Sequence, residues 1–247
     1  MFNIFRFIIF IIYIIICFFI AFFVPFITHN DSIIRLIYII FNYLCGYNKP
    51  IVRDYRKFKH DDPIVLFQHT NLIDPVLLIP VLGKLSVIVN ISYLSGLPRK
   101  MLHRLMSSHN TIFIEKDKKN NLKIITDFIA ANPKAVIAIA PSGGHSKYEN
   151  RIGDSFSTGA FALGKAVSPV LIRYSDDKAT WYKNETEFRG TFEWLFQCFM
   201  RKHADVEVLL MEEIAPLANG KETPKEYAER VRLAMIEFDK AHPPCFK

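Results

Sequence analysis

No Cys-x-x-Cys pair occurs in this sequence. Its four cysteines, Cys17, Cys45, Cys198 and Cys245, are too scattered for a disulfide framework, a usage that fits a reducing compartment. No Gly-x-Ser-x-Gly element is present, so the serine-nucleophile elbow of the α/β-hydrolases is excluded. No nucleic-acid motif accompanies the net charge of +7, and no nucleic-acid partner is expected. Internal repeats and low-complexity tracts are also missing. With 247 residues to place, that leaves one domain of ordinary size plus a short appendage.

What is abundant is apolar surface: 51% of residues are hydrophobic and 22 are Phe, so a sizeable core is easily supplied. This surface is unevenly placed. Residues Phe7 to Thr28 form an uncharged run; at about 1.5 Å per residue, such a helix reaches roughly 30 Å, enough to cross a bilayer core. The run is longer than a signal-peptide core and lacks a small-residue cleavage site, so an uncleaved anchor is expected. A second apolar stretch, Ile33 to Tyr47, is shorter and carries Arg35 and Asn42. It reads either as an interfacial or re-entrant helix beside the first, or as a helix docked on the soluble domain. Seven basic residues against two acidic ones lie within residues 1–60. Basic residues flanking an apolar segment predict a cytosolic side facing anionic headgroups. The expected organisation is a membrane anchor over 1–48, single-pass or hairpin, and a soluble domain over 49–247.

After a basic linker at Lys49–His60, strand and helix patterns alternate, which predicts an α/β domain with a mostly parallel central sheet flanked by helices. Strands are expected at Pro63–Phe67, Leu85–Ile91, Thr111–Ile114, Ala135–Ala140, Pro169–Tyr174 and Val206–Met211. Helices are expected from Asp74-Pro75 onward, at Lys100–Ser107, at Asn120–Ala131 and as a small-residue helix at Ser157–Ala166. The C-terminal helix carries the clearest signals: Thr223 as cap, Pro224 at the first position, and Glu226 completing a capping box. Tyr227, Val231, Ala234 and Phe238 then make an apolar stripe at helical spacing. The aromatic-rich segment Phe188–Met200 is read as core.

His69 ends a predicted strand, and Asp74 begins a predicted helix five positions later. A turn between them brings the side chains together. The carboxylate then holds one imidazole nitrogen and leaves the other free to take a proton from a hydroxyl. With 8 His in the chain, an isolated His-x-x-x-x-Asp pair has little specificity by itself. No further His or carboxylate sits near it at metal-ligand spacing, so a metal hydrolase is poorly supported and no metal or bound cofactor is expected.

The company of the pair supplies the specificity. Gln68-His69-Thr70-Asn71-Leu72-Ile73-Asp74 resembles the first signature of the glycerolipid acyltransferases, which include lysophosphatidic acid acyltransferases. Phe113-Ile114-Glu115-Lys116 lies where their Phe-[Ile/Val]-x-Arg signature should be. Pro141-Ser142-Gly143-Gly144-His145-Ser146 stands in place of Pro-Glu-Gly-Thr-Arg-Ser, and Ser168-Pro169-Val170 is similar to the fourth signature. The resemblance spans roughly residues 50–215, with the signatures in order. It implies that His69 deprotonates an acceptor hydroxyl, which attacks an acyl thioester of coenzyme A or acyl carrier protein. It also implies that Lys116 holds an anionic headgroup and that the backbone of Ser142, Gly143 and Gly144 cradles a phosphate or oxyanion. Two positions depart from the pattern: Ser142 replaces Glu and His145 replaces Arg. The Pro-Ser-Gly-Gly form resembles soluble glycerol-3-phosphate acyltransferases, with Lys147 and Arg151 offering nearby positive charge. The implied acceptor is 1-acylglycerol-3-phosphate, with glycerol 3-phosphate or another lysophospholipid as alternatives. A catalytically silent lipid-binding protein of the same fold is the reading from a different class.

Overall fold

The computed structural model describes residues 4–23, 31–56, 64–69, 71, 73–83, 85–90, 111–114, 118–142, 152–175, 198, 203–218 and 220–246. The expected helix at 100–107 lies outside these residues, as does the aromatic segment 188–200 apart from Cys198.

Among the described residues, seven strands form one sheet: β1 (Ile51–Asp54), β2 (Ile64–Phe67), β3 (Leu85–Asn90), β4 (Ile112–Ile114), β5 (Val136–Ile139), β6 (Ser168–Tyr174) and β7 (Val206–Leu210). Their order is β1-β7-β6-β2-β5-β3-β4. Every described pairing is parallel except β6 with β7. The mostly parallel α/β sheet is therefore as expected. Strands β2, β6 and β7 are buried along their whole length, which explains their continuous apolar runs: a parallel sheet is covered on both faces. Alternation then divides β2 between two cores. Val65 and Phe67 join one cluster with Leu77, Leu78 and Ile172, while Ile64 and Leu66 join another with Phe161, Tyr227 and Val231.

Among the described residues, five helices cover the faces: α1 (Ile4–Phe23), α2 (Asp31–Leu44), α3 (Asp74–Leu82), α4 (Lys118–Ala131) and α5 (Pro224–Ala241). On the Phe67 face lies α3, whose Leu77 and Leu78 are fully buried; each contributes roughly 1.5–3 kcal/mol. The helix ends at Gly83, where φ is +87° and a Cβ would stand 2.6 Å from the Arg35 guanidinium. A cation beside a helix C-terminus is favourably placed in the helix dipole. On the other face, α5 forms its predicted capping box: Glu226 N–H donates to Thr223 Oγ1 at 3.3 Å and Thr223 N–H to Glu226 Oε2 at 2.8 Å. Its buried stripe is Tyr227, Ala228, Val231 and Met235.

α1 and α2 pack as an antiparallel pair. Phe10 and Phe41 ring centroids are 5.8 Å apart, and the Tyr13 hydroxyl donates to the Ile37 carbonyl at 2.5 Å. The pair shares the core under α3 through Phe10, Leu44, Cys45 and Tyr47. The polarity of α1 is inverted: Arg6 is buried and bonds the Cys198 carbonyl, whereas Ile4, Phe5, Ile8, Ile12 and Ile16 are exposed. On α2, Leu36, Ile39, Ile40 and Tyr43 continue the exposed apolar surface. Among the described residues, whose α1 side chains end at Ile16, no helix is long and apolar enough to cross a membrane.

Two expectations need correction. The basic linker at 49–60 contains β1, which among the described residues is an edge strand paired with β7. Its Ile51 and Val52 are exposed, so the alternation that marks a half-buried strand is missing. The small-residue helix at 157–166 is instead a set of bends around a single 3-10 turn, Phe161–Leu163. Gly164 adopts φ +62° and stops it, and a Ser/Thr/Gly sequence has little intrinsic drive to continue.

Candidate active site

In parallel sheets, side chains for chemistry gather beyond the C-terminal strand ends, where successive connections leave in opposite directions. That reversal falls between β2 and β5. The connection after β2 runs through α3 and packs against the Val65/Phe67 face. The connection after β5 passes through Phe161, on the Ile64/Leu66 face. β2 is parallel to β5 on one side and to β6 on the other, with Leu66 opposite Ile139 and Phe67 opposite Val170. His69, Ser142 and Tyr174 therefore emerge at one edge of the sheet.

His69 and Asp74 meet there. His69 Nδ1 lies 3.0 Å from Asp74 Oδ2, with the imidazole side chain 16% exposed and the carboxylate fully buried. A buried carboxylate needs donors for every lone pair it presents. Asn71 N–H donates to Oδ2 at 2.7 Å, and the Tyr174 hydroxyl donates to Oδ1. Asn71 is itself held: its Oδ1 accepts Ile73 N–H at 3.3 Å and its Nδ2 donates to the Tyr47 hydroxyl at 2.8 Å. Asp74 also starts α3, where a negative charge is favoured by the helix dipole. With Nδ1 turned to the carboxylate, Nε2 is the ring nitrogen on the side away from Asp74. Phe67 meets the imidazole edge-on at 5.5 Å and limits its rotation.

Ser142 sits in the turn after β5, a turn pinned by Ser157 N–H donating to the Pro141 carbonyl at 2.7 Å. Lys116, Gly143, Gly144, His145 and Arg151 lie outside the described residues. Among the described residues, no group of three or more His, Cys, Asp or Glu is placed to hold a metal ion. Sequence reasoning missed Tyr47 and Tyr174. Tyr174 is 100 positions from the carboxylate it bonds, and no local pattern distinguishes it from a core strand residue. Asn71 lies inside the first signature, but its bonds depend on the turn geometry.

No protein-family model matches the sequence. The chain is 22% identical to lysophospholipid acyltransferase LPCAT4 of Xenopus tropicalis over 227 residues, 85% of this chain and 41% of that protein. It thus spans less than half the length of this relative. The fold is similar to the crystal structure of the 1-acyl-sn-glycerophosphate (LPA) acyltransferase PlsC from Thermotoga maritima, with a TM-score of 0.56 and 17% identity. That similarity covers 97% of this chain and 99% of the other. The chain is thus similar in sequence to a lysophospholipid acyltransferase over most of its length, and similar in fold to an LPA acyltransferase.

Proposed function

We propose that the protein is an acyltransferase that moves a fatty acyl group from a thioester to a hydroxyl of a lysophospholipid, with 1-acylglycerol-3-phosphate as the leading acceptor. The observation that carries this reading is the buried, three-donor Asp74 carboxylate holding Nδ1 of a partly exposed His69. Nε2 of His69 takes the proton of the acceptor hydroxyl as its oxygen attacks the thioester carbonyl. The new C–O bond forms, the C–S bond breaks, and the imidazolium returns its proton to the leaving thiolate. Asp74 stabilises the imidazolium between these two transfers. The donor is acyl-coenzyme A or acyl carrier protein, and no cofactor takes part in this scheme. Lys116 and the Ser142-Gly143-Gly144 backbone, with His145 and Arg151 beyond it, are the groups assigned to the anionic headgroup and the developing oxyanion.

The test is a panel assay with labelled acyl-coenzyme A and full-length protein in detergent. The acceptors are 1-acylglycerol-3-phosphate, glycerol 3-phosphate and zwitterionic lysolipids. Transfer is expected to the phosphate-monoester lysolipid first. Lys116→Ala should raise KM for that acceptor roughly tenfold with kcat little changed, the signature of lost uniform binding. Absence of transfer from the wild type to every acceptor would leave the lipid-binding reading in its place.

The inverted polarity of α1 supports a membrane setting: helices that bury arginine and expose isoleucine suit an apolar surrounding. We read α1 and α2 as a hairpin embedded in one leaflet, with the sheet domain on the cytosolic side. It lies on the same sheet face as the dyad, so a lipid acceptor has a short route to His69. Full-length protein should float with phospholipid vesicles. Ile8→Asp combined with Ile12→Asp should release much of it, since each charge at membrane depth costs about 2.5–3.5 kcal/mol on insertion scales. Unchanged flotation of the double variant would remove this face of α1 from membrane contact.

A further inference from the structure

We propose that Tyr174 is a positioning residue that sets both the orientation of the Asp74 carboxylate and the basicity of His69; its catalytic consequence rests on the acyltransferase reading above. Asp74 has two oxygens in unlike surroundings. Oδ2 receives His69 Nδ1 at 3.0 Å and Asn71 N–H at 2.7 Å, while Oδ1 receives the Tyr174 hydroxyl. A phenylalanine at 174 would fill the same space against Tyr47, whose ring meets that of Tyr174 edge-on at 5.6 Å. The hydroxyl is therefore the part that packing does not require, and it is spent on the carboxylate. It fixes the carboxylate plane from β6, an element distant in sequence from both dyad residues. Tyr47 braces the other side through Asn71, so the carboxylate is held from the end of α2, the turn after β2, and β6.

The electrostatic consequence has a definite sign. A donor on Oδ1 draws negative charge away from the side facing His69 and so restrains the stabilisation of the imidazolium. Removing that donor leaves a more negative carboxylate and a more basic His69. The titratable groups bonded to this carboxylate include His69 and Tyr174, with Tyr47 one step further through Asn71. The guanidinium of Arg35 lies at the far end of α3, beside Gly83.

The experiment is an NMR titration of the ¹⁵N-labelled histidine rings in the full-length chain, with the His69 signal assigned by its loss in His69→Ala. In Tyr174→Phe the His69 midpoint should rise by about half a unit to one unit, the size expected for one lost hydrogen bond. Replacing Tyr174 with 3-fluorotyrosine, a more acidic and stronger donor of nearly equal size, should move the midpoint the other way. Tyr47→Phe, which touches Asp74 only through Asn71, should shift it less than Tyr174→Phe. A His69 midpoint unmoved by both changes at Tyr174 would overturn the proposal, even if Tyr174→Phe lowered Tm, since that is what a purely structural tyrosine does. If Tyr174→Phe fails to fold, the fluorinated variant decides alone. The titration uses no acyl transfer, so a wild type without transferase activity would sink the functional reading and leave this one to be judged separately.

Discussion

Replacing His69 with Ala is expected to lower acyl transfer by about 10²–10⁴-fold, the contribution typical of a positioned general base. The loss should be chemical and not a consequence of unfolding. After the substitution Asp74 keeps two of its donors, Asn71 N–H on Oδ2 and the Tyr174 hydroxyl on Oδ1. The buried carboxylate then keeps those donors, and the imidazole, 16% exposed, leaves a space that reaches solvent. Thermal melts of the variant should therefore stay close to wild type while turnover collapses. Asp74→Asn should give a loss of similar order by another route. An amide that presents NH₂ at the Oδ2 position faces two donors, His69 Nδ1–H and Asn71 N–H. Presenting oxygen there instead puts NH₂ against the Tyr174 hydroxyl. The first arrangement breaks the network; the second keeps its bonds, because a phenol also accepts, but removes the charge that stabilises the imidazolium. Single-turnover transfer of labelled acyl groups reads both variants, and undiminished transfer by His69→Ala would remove it as the base.

The largest expected effect on stability lies on the opposite face of the sheet, one residue along β6 from Tyr174. Glu207 is fully buried between two arginines: Arg173 Nη1 donates to Oε2 at 3.0 Å, and Arg53 Nη1 donates to Oε1 at 2.9 Å. Arg173 is opposite Glu207 in the β6–β7 register and reaches Asp239 of α5 through Nη2 at 2.6 Å. The network thus joins β1, β7, β6 and α5. Burial alone pushes the Glu207 carboxyl up, but hydrogen bonds from Arg53, Cys245 and Arg173 outweigh it and hold it below the usual glutamate range.

Glu207→Ala removes the buried one of the two carboxylates that hold Arg173, leaving it Asp239, which is 39% exposed. Breaking a buried pair in this way costs about 3–5 kcal/mol. At this chain length the lower figure corresponds to a fall in Tm of roughly 6–12 °C. Glu207→Gln keeps one acceptor oxygen and should fall less. The pH dependence has a fixed sign: a carboxyl held below its unfolded value contributes stability at neutral pH. That contribution is lost as pH falls from the ordinary glutamate range through the lowered folded value. The wild type should therefore lose an acid-sensitive increment that Glu207→Ala lacks. A Glu207→Ala melt within 1 °C of wild type would show that the network is not structural.

The sequence by itself determined a good deal of this protein, wherever the physics is local. Ile64–Phe67, Val136–Ile139 and Ser168–Tyr174 were legible as strands because a sheet covered on both faces demands unbroken apolar runs. Thr223, Pro224 and Glu226 announced α5 because capping is settled within four residues. His69 and Asp74 were legible as a pair because one turn joins them.

Where the physics is non-local, only the tertiary structure decided. β1 forms because β7 offers it a ladder of backbone partners, and no side-chain pattern records that offer. The segment 157–166 gives up its helix because Gly164 takes a left-handed turn toward β6. Arg6 is buried while its isoleucine neighbours are exposed, because α1 turns its one charged side chain toward the Cys198 carbonyl. The donors that complete Asp74 come from the turn after β2 and, 100 residues away, from the last residue of β6. A carboxylate counts its hydrogen bonds in space, and a linear pattern carries no record of which distant strand end arrives beside it.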